Sequence, residues 1–156
     1  MSGFVIAGLD PAPFRHLYGA SDAELAAAGA VRMRADATPG FPCRITLEDA
    51  EPGEDLLLVN YEHLPVATPY RSAHAIFVRE GAEVAARYED AVPAQFARRL
   101  LSVRAFDAAG MMRDADVVDG RALEPLIARM FGDPAVAYLH VHNAKPGCFA
   151  GRVDRA

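Results

Sequence analysis

The 156-residue chain predicts an α+β domain: a largely antiparallel β-sheet with a few short helices packed on it. Three observations lead there. Apolar runs of strand length recur along the chain, helical patterns are few and short, and turn signals separate neighbouring strands. The length fits a single domain over 1–156, and a chain of this size buries roughly 70% of its unfolded surface.

Phe4, Ile6 and Leu9 mark an opening strand or extended arm. Asp10-Pro11 then starts a short helix, with Asp10 as N-cap and Pro11 at the first helical position. Ser21-Asp22-Ala23-Glu24 is a capping box, and the Ala-rich helix behind it should stop at Gly29. Val31 to Ala35 reads as a strand. Thr38-Pro39-Gly40-Phe41-Pro42 is turn material, and Cys43 to Ala50 fits neither period. After the turn Glu51-Pro52-Gly53-Glu54, the run Leu56-Leu57-Leu58-Val59 reads as a buried strand. Pro65 and Pro69 mark a loop, and Ala75 to Val78 is the next strand. Val92-Pro93 opens a short helix through about Leu100. Leu101 to Phe106 alternates as a half-buried strand, Asp107-Ala108-Ala109-Gly110 turns, and Met111 to Val118 returns. Asp119 caps a helix whose apolar positions are Leu123, Leu126, Ile127 and Met130, ended by Gly132-Asp133-Pro134. Ala135 to Val141 is a strand, and Cys148 to Val153 forms the last.

Composition narrows the function classes. The net charge is −5, against the basic stripe of a nucleic-acid binder. No apolar run approaches the roughly 20 residues that span a bilayer, so no membrane partner is expected. The start lacks the basic-then-apolar pattern of a secretory leader, which makes the cytoplasm the expected compartment. Cys43 and Cys148 are then free thiols. Residues 138–156 carry Lys145, Arg152 and Arg155 against Asp154, a local +2 on a body of −7, which favours a small anion. Glycine-rich phosphate loops, Gly-x-Ser-x-Gly and His-Glu-x-x-His are absent from the sequence.

The candidate chemistry concentrates near the C-terminal end. His140 and His142 lie two apart on a predicted strand, so both face one side, with Cα atoms roughly 6.5 Å apart. Two imidazoles placed so can meet one metal ion, and Cys148, past the Pro146-Gly147 turn, could fold back beside them. His74, Cys43 or an acidic group could complete such a set. Histidines that bond backbone, water or carboxylate are the commoner arrangement. Asn143 could orient a histidine or satisfy the turn. Cys148 and Cys43 each have a cation near in sequence, which favours a thiolate. Arg71, Arg104, Arg152 and Arg155 are the anion candidates, and Tyr70-Arg71-Ser72-Ala73-His74 groups a cation, a hydroxyl and an imidazole before a strand.

These residues resemble an uncharacterised bacterial family, the domain of unknown function 1203. The likeness rests on Pro42-Cys43-Arg44, Pro52-Gly53-Glu54, Pro69-Tyr70-Arg71 with His74 to Val78, Arg104-Ala105-Phe106-Asp107, Met111-Met112 with Asp114-Ala115-Asp116, and His140-Val141-His142-Asn143 through Gly147-Cys148-Phe149 to Arg152. They occur in order over nearly the whole chain. The resemblance implies a single-domain protein and carries no activity with it.

The leading expectation is a protein that binds, and as an enzyme would transform, a small anionic molecule. His142, Cys148 and His74 would be its catalytic groups, and Arg71, Arg152, His140 and Asn143 would hold the ligand. The second is a metal-binding protein using His140, His142 and Cys148. The third is a non-enzymatic interaction module or homodimer pairing through an exposed strand. The sequence names no cofactor.

Overall fold

The computed structural model describes residues 3–156 and contains two antiparallel sheets with a few short helices, as the strand and turn signals predict. The strands are β1 (Phe4–Ala7), β2 (Val31–Arg34), β3 (Asp55–Leu64), β4 (Ser72–Arg79), β5 (Arg87–Glu89), β6 (Leu100–Phe106), β7 (Met112–Asp119), β8 (Tyr138–Asn143) and β9 (Phe149–Arg155). The α-helices are α1 (Asp22–Ala27), α2 (Ala94–Ala97) and α3 (Leu123–Phe131). One sheet runs β5-β1-β9-β8-β6-β7 and the other β2-β3-β4. No helix among the described residues is long and apolar enough to cross a membrane.

Local sequence explains most elements. Ser21 Oγ accepts from the Glu24 amide while the Glu24 carboxylate accepts from the Ser21 amide, so α1 starts on the predicted capping box. The first helix is a 3-10 turn over Ala12–Leu17, entered through Pro11, with Asp10 accepting from the Ala12 amide. The helix after Pro93 is shorter than predicted, because Leu100 already pairs with Asp119 in the sheet. The three-residue edge strand β5 has no apolar alternation and left no sequence signal.

The core explains why β8 sits at the centre of its sheet. Leu139 and Val141 pack into a cluster with Leu123, Leu126, Ile127 and Met130, the four apolar positions of α3. A second cluster joins the face of β3 and β4 carrying Leu57, Val59, Ile76 and Val78 to Phe14, Leu17 and Leu25. Phe149 of β9 belongs to this second cluster, so the two sheets meet there. β8 is therefore buried on both faces, and every one of its six residues is buried.

Two bulges lie at that junction. In the β3–β4 ladder the register shifts between Tyr61 and Leu64, where Tyr61 opposes His74 and Leu64 opposes Ser72. In the β8–β9 ladder it shifts between Val141 and His142, which opposes Phe149. A bulge re-aims side chains locally, and both shifts bring histidines toward the space between the sheets.

Candidate functional site

Four of the five histidines converge where the two sheets meet. His140 and His142 project from the same face of β8, as their spacing predicts. That face is closed by the second sheet: His142 is 0% and His140 1% exposed. His63 arrives from the end of β3, 8% exposed, and His74 from β4, partly exposed. The His63 ring stacks on Phe149 at 4.8 Å between centroids and 10° between planes. That contact fixes the imidazole's plane, so its two nitrogens point in set directions.

The polar contacts form a chain. His63 Nε2 lies 2.7 Å from His74 Nδ1, and His63 Nδ1 lies 3.1 Å from His140 Nδ1. His142 Nδ1 is 3.0 Å from the Gly147 carbonyl oxygen. A carbonyl only accepts, so Nδ1 carries the proton and Nε2 of the neutral ring keeps a lone pair. The Arg104 Nη1 group donates toward that lone pair at 3.4 Å.

Burial holds these rings neutral. It pushes His63 down to about 4, helped by His74 and Arg104. His140 falls to about 2 by burial, with His63, His142 and the arginines 152 and 104 adding repulsion. His142 falls to about 3 by burial and Arg104, against the Gly147 hydrogen bond, which favours its charged form. His74 moves in the same direction, through burial and then Arg104. Ring nitrogens of His63, His140 and His142 lie within 4.8 Å of one another, and no carboxylate or thiol belongs to that group.

Arg104 reaches the site because β6 pairs with β8. Arg104 opposes His140 and Ser102 opposes His142, so both share the histidine face, while Leu101, Val103 and Ala105 point into the core. Arg152 flanks His140 from the other side, through β9. Its guanidinium lies 4.1 Å above the Tyr138 ring and pairs with Asp154 at 2.8 Å.

The other sequence candidates separate from this cluster. Arg71 is exposed and paired with Glu62 at 2.8 Å. Cys148 does not join the imidazoles; its Sγ accepts from Arg44 Nη2 at 2.9 Å and from Asn143 Nδ2 at 3.8 Å. Arg44 is 2% exposed, and its other donors go to the carbonyls of Phe149 and Pro42. Burial pushes its guanidinium below the usual range, with the Cys148 sulfur acting against the shift. Asn143 is buried, and its Oδ1 has no partner among the described residues. Cys43 is buried and accepts from the amides of Ile45, Thr46 and Arg79, so its sulfur is taken up by backbone. Arg155 donates to the carbonyls of Val136 and Asp133. Two surface clefts, one beside Arg98, Arg99 and Arg121 and one beside Phe4 and Ile127, contain none of the histidines.

His63 is the residue sequence reasoning missed. The signal was present: Leu57, Val59, Tyr61 and His63 continue one alternation, which the apolar run ending at Val59 conceals.

A family model described as "Protein of unknown function (DUF1203)" matches residues 40–155, and the chain belongs to that family. The ordered motifs in the sequence pointed to the same family, and the match spans all four clustered histidines together with Arg104 and Cys148. No curated protein and no solved structure matches the chain.

Proposed function

We propose that this member of the DUF1203 family binds a zinc-class divalent metal ion through His63, His140 and His142, leaving a fourth position for water or a small ligand. One observation carries the reading: three buried imidazoles from two different sheets present ring nitrogens within 4.8 Å of one another. Two zinc–nitrogen bonds at the tetrahedral angle set their nitrogens about 3.3 Å apart. The 3.1 Å between His63 Nδ1 and His140 Nδ1 already fits that spacing. Metal ligation needs neutral imidazole, which burial enforces here.

The surroundings support the same assignment. The Gly147 carbonyl fixes the His142 tautomer so that Nε2 is the free donor atom. His74 would accept from His63 Nε2–H, leaving Nδ1 for the ion. Ligating histidines are regularly held through their second nitrogen in this way. Three neutral ligands would leave the ion its full charge, the setting in which a bound water ionises near neutral pH. This set differs from the His140, His142 and Cys148 combination by taking His63 in place of the thiol.

Zinc titration of chelator-treated protein, followed by calorimetry and elemental analysis, tests the reading. One ion per chain is expected, with a loss of about tenfold or more in affinity for His63→Ala and His142→Ala. At a free zinc concentration 100 times Kd the unfolding free energy should rise by about 2.7 kcal/mol. Protein that takes up no zinc at millimolar concentration and melts unchanged would leave the rings as a hydrogen-bonded chain and end the proposal.

A further inference from the structure

Arg104 stands apart among the fifteen arginines. Twelve of them pair with a carboxylate. Of the other three, Arg44 donates to two carbonyls and a sulfur, and Arg155 donates to backbone carbonyls. The Arg104 side chain has one hydrogen bond among the described residues, Nη1 on His142 Nε2 at 3.4 Å. It is half-buried, and burial pushes its guanidinium below the usual range. The other guanidinium donors have no protein partner among the described residues and keep some access to water, which leaves them available to a ligand.

Resting on the metal reading above, we infer that Arg104 and the ion together bind a small carboxylate. The geometry links the two partners. His142 Nε2 is both the atom Arg104 donates to and the lone pair the metal would take. An ion at that nitrogen removes the one acceptor Arg104 has among the described residues and places a second positive charge beside it. A ligand oxygen on the metal, with a second oxygen accepting from the guanidinium, satisfies both. Arg152 is the nearest alternative cation, and Asp154 already holds it.

The class of anion follows from the number of contact points. One guanidinium fork and one open metal position match the two oxygens of a planar carboxylate. A phosphate would bring more oxygens than these two partners match; Ser102 shares the face, and Phe106, Tyr138 and Phe149 pack around His140. His74 and Arg104 are partly exposed, while His63, His140 and His142 are buried.

Cobalt(II)-loaded protein, titrated with acetate and with phosphate and read by its visible ligand-field bands, tests the inference. Wild type should show a saturable shift with acetate, tighter than with phosphate. Arg104→Met should hold one cobalt per chain and bind acetate about 10- to 100-fold more weakly, the range for losing a charge-assisted hydrogen bond. Arg104→Lys, which keeps the charge without the fork, should fall between them and provides the comparison if the Met variant folds poorly. Equal acetate constants in loaded wild type and both variants overturn the inference while leaving the metal site intact. Tighter phosphate than acetate overturns the carboxylate assignment. A wild type that takes up no cobalt overturns the metal reading and this inference with it.

Discussion

Acidification should unfold the metal-free protein over an unusually high pH range, and the histidine cluster sets the size of the effect. His63, His140 and His142 have folded values of about 4, 2 and 3, against an ordinary value near 6.5. A group depressed on folding contributes stability that is present above its unfolded value and lost as pH falls toward its folded one. The unfolded chain therefore binds protons that the folded chain refuses, beginning near pH 6.5. Each such group costs about 1.4 kcal/mol per pH unit below that point, so three approach a slope of about 4 kcal/mol per unit. At pH 5 each contributes about 2 kcal/mol and the set about 6 kcal/mol, comparable to the whole stability of an ordinary domain. Carboxylates lowered by hydrogen bonds, such as Glu80 and Asp133, act in the same direction but only near and below their own unfolded values around 4. The window from pH 6.5 to 5 thus belongs to the imidazoles. Urea unfolding of chelator-treated protein across that window measures the slope directly, and His140→Gln should lower it by about a third. A slope corresponding to fewer than one proton would refute the reasoning, because the rings would then be charged or free to reach water in the folded state.

Three further outcomes follow from specific contacts. His74→Ala should weaken zinc binding by about tenfold without abolishing it, measured by calorimetry, because it removes the acceptor that orients His63. Asp49→Ala should cost about 2 kcal/mol in chemical denaturation, since its buried carboxylate joins Arg98 at 2.7 Å and Arg99 at 2.6 Å while both guanidinia retain some access to water. An unchanged denaturation midpoint would mean the pairs contribute nothing net. Gly120→Ala should destabilise by about 3 kcal/mol or more, because a Cβ there would overlap the Phe96 carbonyl oxygen, and a thermal melt within a degree of wild type would contradict that packing.

Local signals in the sequence determined much of the architecture. The capping box starts α1, the spacing of Leu123, Leu126, Ile127 and Met130 gives α3 its buried stripe, and the alternation from Leu101 to Phe106 places β6 half in the core. The two-residue step from His140 to His142 put both rings on one face, and the ordered motifs indicated the family. These features are local because they depend on backbone period and on caps within a few residues. The tertiary structure alone decided what that face meets. His63 lies 77 residues from His140 in sequence, and only sheet-on-sheet packing with a bulge beside each ladder brings their nitrogens to 3.1 Å. The same packing sends Cys148 to Arg44, 104 residues away, and leaves Arg104 facing the imidazoles with no carboxylate partner among the described residues. Residue type and spacing specify which side a group points to. The partner on that side is set by long-range register and layer packing, for which no short stretch of sequence carries a code.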